Sequence, residues 1–219
     1  MSEFFLQLGI VLKWLGFASL PLFLLPFAIL LVPNISITHG RKVSSFIDRF
    51  NGGVMQLAFA AAIFLILSQL AVIVGRFVFG WSRTWMSELV IFSFAAMFLL
   101  GTAAALRDDA HVRVDILRGR FSPKTKATIE LIGIYVLLVP MCFCIIWAST
   151  QGSFVRAWAR FLGSSEDDGL PIWYIFKTFV PAFAVLVAAQ GLSEAIKSAM
   201  SLKGAQDAEP ANTSNAGTT

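Results

Sequence analysis

Apolar residues in this chain gather into five long blocks separated by short polar interruptions, at residues 14–37, 52–75, 85–106, 131–155 and 171–193. Each block reaches the roughly 20 residues that a helix needs to cross about 30 Å of hydrocarbon. A helix also satisfies its own backbone hydrogen bonds where no water can. The pattern predicts an all-α integral membrane protein, a bundle of four core transmembrane helices plus an additional N-terminal hydrophobic helix.

The punctuation sharpens these blocks. Ser122 stands at an N-cap position and Pro123 at the first helical position, so the fourth helix is expected to start at residue 123. Asp167 and Asp168 favour a fifth helix start with Pro171 in its first turn, and Pro140 and Pro181 predict bends inside their helices. The first block carries Pro21, Pro26 and Pro33 and has no basic residues ahead of it before Lys13. It reads as a span or a membrane-embedded hairpin rather than a cleaved leader. From Gly204 the residues are small and polar, as in a disordered tail. The expected organisation is an N-terminal hydrophobic segment and loop (1–45), a four-helix membrane domain (46–198) and a tail (199–219).

Composition agrees, with 57% hydrophobic and 14% charged residues, against roughly 25% charged in soluble domains. The net charge of +4 does not point to nucleic acid, because Lys and Arg sit between apolar runs and form no basic, aromatic-interleaved surface. Lipid headgroups are the expected counterions. Arg41, Lys42 and Arg49 fall in one predicted loop, and Arg107, Arg113, Arg118, Arg120, Lys124 and Lys126 in another. Both loops are expected on the cytoplasmic side, with the C-terminus joining them. Trp81, Trp85, Trp147, Trp158 and Trp173 fall near helix ends assigned to the opposite face, where amphipathic rings settle at headgroup level.

Candidate chemistry is sparse. His39 and His111 both fall in predicted loops, unlike the paired helical histidines of a heme bundle, and Cys142 and Cys144 point about 200° apart on a helix. No phosphate-binding glycine loop, metal-ligand spacing or activated nucleophile appears, so neither an enzyme nor a bound cofactor is expected. Glu88 is the one carboxylate clearly inside a block. It reads either as a proton or ion site, which would make the chain an autonomous carrier or channel, or as a first-turn anion favoured by the helix dipole and paired with Arg76 or Arg83. Residues 107–121 alternate charge with Val112, Val114 and Ile116. They read as a positive loop that sets topology, or as a segment lying on the membrane or a partner. Ala58 and Ala62, Gly101 and Ala105, and Ala184 and Ala188 are small pairs four apart that permit close helix association.

The stretches RFVFG (76–80), WMSELVIF (85–92) and HVRVDIL (111–117), followed by two further apolar blocks, resemble the DctQ-like small membrane subunit of tripartite ATP-independent periplasmic (TRAP) transporters over roughly residues 46–198. That resemblance implies a bacterial inner-membrane system for secondary uptake of an organic acid. A periplasmic binding protein captures the acid, a large membrane subunit carries the sodium and substrate sites, and the small subunit braces the large one without catalysing anything. Its motif residues are His111, Arg113 and Asp115 on the cytoplasmic side and Arg76 and Glu88 at the outer hairpin. These are the expected subunit-contact or lipid-anchor positions.

Overall fold

A computed structural model describes residues 20–31, 37–108 and 121–214. After a 3-10 turn at Leu20–Leu24, α1 spans Leu25–Leu31, α2 Ile37–Phe77 and α3 Thr84–Arg107. A rod of helix then runs as α4 (Pro123–Gly133), a π-helical stretch (Ile134–Leu138), α5 (Val139–Ala148), a second π-helical stretch (Ser149–Ser153) and α6 (Phe154–Ala159). The last element, α7, spans Trp173–Ser214. Among the described residues, four helices are long and apolar enough to cross a membrane: Gly40–Phe77, Thr84–Arg107, Pro123–Ala148 and Trp173–Gly204.

Ser122 caps α4 as expected, its hydroxyl accepting from the Thr125 N–H at 3.2 Å, with Pro123 opening the helix. The local structure differs at the two mid-helix prolines. A π-helical stretch ends just before Pro140, a local change of register next to a residue that cannot donate its N–H. Around Pro181, by contrast, α7 continues unbroken. Pro171 lies in the turn ahead of α7 rather than in its first helical turn.

Two boundaries differ from the expectation. Residues 37–51, including His39, Arg41, Lys42 and Arg49, are helix and not loop. Their apolar residues Val43, Phe46, Ile47 and Phe50 recur at helical spacing. Val43 and Ile47 pack against a cluster of Ile29, Leu192 and Ile196. At 41 residues α2 is about 60 Å long, twice the hydrocarbon thickness, so its basic first half extends past the apolar run. At the other terminus α7 continues to Ser214, beyond Gly204, through alanine, glutamine and acidic residues that sustain helix. Of the first apolar block, residues 20–31 form the 3-10 turn and α1, Ile37 opens α2, and residues 14–19 and 32–36 lie outside the described residues.

The core sits where α3 and α7 meet their neighbours. Ala58, Leu100, Ala103, Cys142, Leu186 and Val187 form its centre. A Cβ on Gly101 would stand 3.7 Å from the Ala58 Cβ. The small residues expected to admit a partner therefore pack this chain's own helices together. Cys142 is buried in this core and Cys144 is exposed.

The helix α2 meets this core through Ala58 and Val54 but leaves most of its apolar stretch open. Only 6% of its most apolar stretch is buried, against 28% for α3 and α7. Leu57, Ile63, Ile66, Leu67 and Leu70 all stand exposed on it.

Candidate functional site

Polar side chains that the apolar helices carry inward collect at two levels, one at each end of the bundle. Both are clamps between helices.

The first clamp centres on Glu88, which lies in the second turn of α3 and is 5% exposed. Neither Arg76 nor Arg83 holds it. Its Oε1 accepts from the Ser164 hydroxyl at 2.5 Å and its Oε2 from the Leu170 N–H at 2.5 Å. Both donors belong to the connection between α6 and α7, which folds on itself through Ser164 N–H to Leu170 O (3.0 Å) and Tyr174 N–H to Leu162 O (3.0 Å). Arg83 pairs instead with Asp168 at 3.7 Å, and Asp168 O accepts from the Trp85 N–H at 3.1 Å. Arg76 is exposed in the last turn of α2. A buried carboxylate engaged on both oxygens is stabilised as a structural anion. The expected arginine pairing is corrected because the loop supplies closer, geometrically fixed donors.

Gly169 makes this clamp possible. A Cβ there would stand 2.1 Å from Ser164 Oγ and 2.9 Å from Glu88 Oε1. Gly169→Ala is expected to destabilise the folded chain by about 2 kcal/mol by forcing Ser164 off the carboxylate, read as a lowered unfolding midpoint of the detergent-solubilised protein. Around the clamp, Phe92 meets Trp173 edge-on at 5.8 Å and Phe176 at 5.0 Å. Trp158 donates its indole N–H to Thr178 at 3.0 Å and stacks edge-on with Tyr174 at 4.8 Å.

The second clamp joins the basic halves of α2 and α7. Asp48 Oδ1 accepts from the Ser193 hydroxyl and from Gln190 Nε2, both at 2.9 Å, and Asp48 Oδ2 pairs with Lys197 at 3.0 Å. Asn51, fully buried, donates to Gln190 Oε1 at 2.7 Å. Ser44 and Ser193 share a hydrogen bond of 2.7 Å. Lys197 also reaches Glu194 at 2.8 Å. At the end of α3, Arg107 donates to Asp48 O at 3.1 Å and to both oxygens of Asp108 at 2.7 and 2.9 Å. That fork, mainly through its hydrogen bonds, holds the Asp108 carboxyl below its ordinary pKa. One residue on from Lys197, Ser198 donates to Glu130 of α4 at 2.9 Å.

None of these groups is among the candidate residues that the sequence singles out. Their spacing carried the signal. Ser44, Asp48 and Asn51 recur at i, i+4 and i+7, as do Gln190, Glu194 and Lys197, with Ser193 at i+3. Each set is one polar stripe on one helix face. Of the candidate contact residues, His111, Arg113 and Asp115 lie outside the described residues. Glu88 and Arg76 lie near the same end of the bundle but are not joined.

Among the described residues no group of three or more His, Cys, Asp or Glu side chains is placed to hold a metal ion. The geometry can fasten helices to one another, and both oxygens of Glu88 are already committed to that. A family model described as "Tripartite ATP-independent periplasmic transporters, DctQ component" matches residues 65–200. No curated protein and no solved structure matches the chain.

Proposed function

Since the chain belongs to the DctQ component family of tripartite ATP-independent periplasmic transporters, we propose that it is the stationary small subunit of such a transporter. In this reading it binds and braces a large membrane subunit during ion-coupled uptake of an organic acid delivered by a periplasmic binding protein. The basic end, with Arg41, Lys42, Arg49, Arg107, Lys124 and Lys126, faces the cytoplasm of a bacterial inner membrane, and the C-terminus emerges on that side. The end with Glu88 and the tryptophans faces the periplasm.

One observation carries the bracing role. Among the described residues, buried Glu88 and half-buried Asp48 are spent on tying this chain's own elements together, while α2 leaves a long apolar face uncovered. Internal clamps make a bundle resist relative sliding of its helices, which suits a frame past which a larger subunit moves. The uncovered face of α2 is the surface assigned to that subunit. Sodium and substrate would be bound there and not here. Glu88 as an ion-coupling site finds no support, because a coupling carboxylate must release its partners in each cycle while this one anchors a loop.

The tagged chain, extracted from its native membranes in mild detergent, is expected to bring down a much larger polytopic protein. Recovery of the chain alone at every mild extraction would overturn the reading. In the same assay Arg113→Ala is expected to lower both co-purification and uptake. Unchanged values of both would remove Arg113 from the contact.

A further inference from the structure

The first half of α2 divides into distinct faces. At about 100° per residue, Arg41, Ser45, Arg49 and Lys42 share one sector and Phe46 and Phe50 stand on the next. Val43 and Ile47 follow, on the side that packs with Ile29 of α1. The basic and aromatic sectors are open: Arg41, Lys42 and Arg49 are exposed, and Phe46 is 71% exposed. Among the described residues, none of these three cations makes a side-chain hydrogen bond or ion pair. The carboxylates of this end are engaged inside the bundle, Asp48 and Glu194 by Lys197, Asp108 by Arg107 and Glu130 by Ser198. Three positive charges therefore face outward with no acid of the described chain to answer them.

The helix alongside shows what surrounds them. Residues 20–31 carry no polar side chain. Pro26 and Ile29 are buried against the bundle, whereas Pro21, Leu24 and Phe27 form an outward row. Two carbonyls of this stretch accept from the bundle, Phe23 O from the Tyr135 hydroxyl and Ile29 O from Lys203 at 3.2 Å. The Phe27 and Tyr135 rings meet at 4.8 Å. A helix that is apolar on both faces belongs in hydrocarbon, where freed backbone groups need protein partners. Because α1 lies against Val43 and Ile47, the apolar layer on that side reaches this level of α2. Arg41 and Lys42 stand within a turn of its edge.

We infer that this end of α2, with α1 beside it, is a binding surface for net-negative phospholipid of the leaflet at the basic end. Arg41, Lys42 and Arg49 engage the headgroup phosphates, while Phe46, Phe50, Leu24 and Phe27 sit among the acyl chains. A basic sector beside an aromatic one is the pattern of a helix lying along an interface. Clustered cations that lack acidic neighbours favour anionic over zwitterionic headgroups. A partner subunit would have to match a row of cations and an adjoining apolar strip at once. A leaflet of anionic lipid presents both layers, in that order of depth, without any particular shape. The inference goes beyond the bracing role and does not rest on it.

The test uses the full chain in mixed vesicles of phosphatidylcholine and phosphatidylglycerol. A bimane is attached at residue 46 or 50 (Phe46→Cys or Phe50→Cys, each with Cys142→Ala and Cys144→Ala), and the quencher is a nitroxide on the acyl chain of one lipid or the other. Quenching is expected at both positions, about threefold stronger from phosphatidylglycerol than from phosphatidylcholine. A bimane at residue 63 (Ile63→Cys), exposed in the middle of the apolar run, is expected to be quenched equally by the two and reports that each variant is inserted. Arg41→Gln, Lys42→Gln and Arg49→Gln together are expected to bring the ratio at 46 and 50 to about one, whereas Arg41→Lys with Arg49→Lys keeps it. Equal quenching by the two lipids at 46 and 50 overturns the inference, as does a ratio that the glutamine changes leave unmoved. Quenching at neither position also overturns it, and loss of quenching when the proposed large subunit is added would put protein on this face in place of lipid.

Discussion

Glu88→Ala is expected to detach the connection between α6 and α7 from α3 and to lower the stability of the purified chain by about 4 kcal/mol. The estimate follows from the geometry. The carboxylate is buried and accepts two charge-assisted hydrogen bonds, from the Ser164 hydroxyl and the Leu170 N–H. Bonds to charged groups contribute roughly 1.5–3 kcal/mol each, and the donors left behind would have to find new partners. Glu88→Gln keeps one accepting oxygen, and Ser164 can rotate to accept from the new amide. Its expected loss is about half as large. The readouts are the thermal midpoint in detergent and the rate at which protease cuts between residues 160 and 172. An alanine variant within about 0.5 kcal/mol of the parent, the range of an ordinary surface change, would contradict the clamp. The two variants also separate structure from transport, because an ion-coupling carboxylate would lose uptake in both while a clamp keeps most of it in the glutamine variant.

Asp48→Ala is the second large expected effect, about 3 kcal/mol of destabilisation. Asp48 is the hub of the basic-end network, accepting from Ser193 and Gln190 and pairing with Lys197. Its removal leaves Gln190, a fully buried residue, without one acceptor and strands polar groups between α2 and α7. Lys197→Ala should cost less, about 1 kcal/mol, because its side chain is 38% exposed and water screens the lost pair. A double-mutant cycle over the two positions is expected to give a coupling of about 1 kcal/mol. The order of the single variants is the decisive part. A lysine variant as damaging as the aspartate one would mean that the ion pair, rather than the hydrogen-bonded hub, holds the helices.

Much of this fold could be read from hydrophobic runs, and the errors have a common cause. The four spans, the start of α4 at Ser122 and Pro123, and the aromatic end around Trp85, Trp158 and Trp173 follow from local patterns that burial in lipid or at its surface enforces. Residues 37–51 were read as loop because Arg41, Lys42 and Arg49 interrupt the apolar run. Yet Val43, Phe46, Ile47 and Phe50 keep a helical period across them, and charge ends a span without ending a helix. The Glu88 clamp was invisible for a different reason. Its partners lie 76 and 82 residues away in sequence, in a connection whose fold depends on Gly169 and a main-chain N–H, and no side-chain pattern announces either. The basic-end network was legible as two polar stripes, but only once both helices were known to extend past the membrane and face each other.

The central claim is that this chain braces and does not carry. Uptake of the proposed organic-acid substrate into liposomes tests it most directly, with the proposed binding protein outside and with the chain alone, the proposed large subunit alone, or both in the membrane. The account predicts no uptake above empty vesicles for the chain alone and robust uptake only when both are present. Solute movement by the chain alone, abolished by Glu88→Gln, would contradict it.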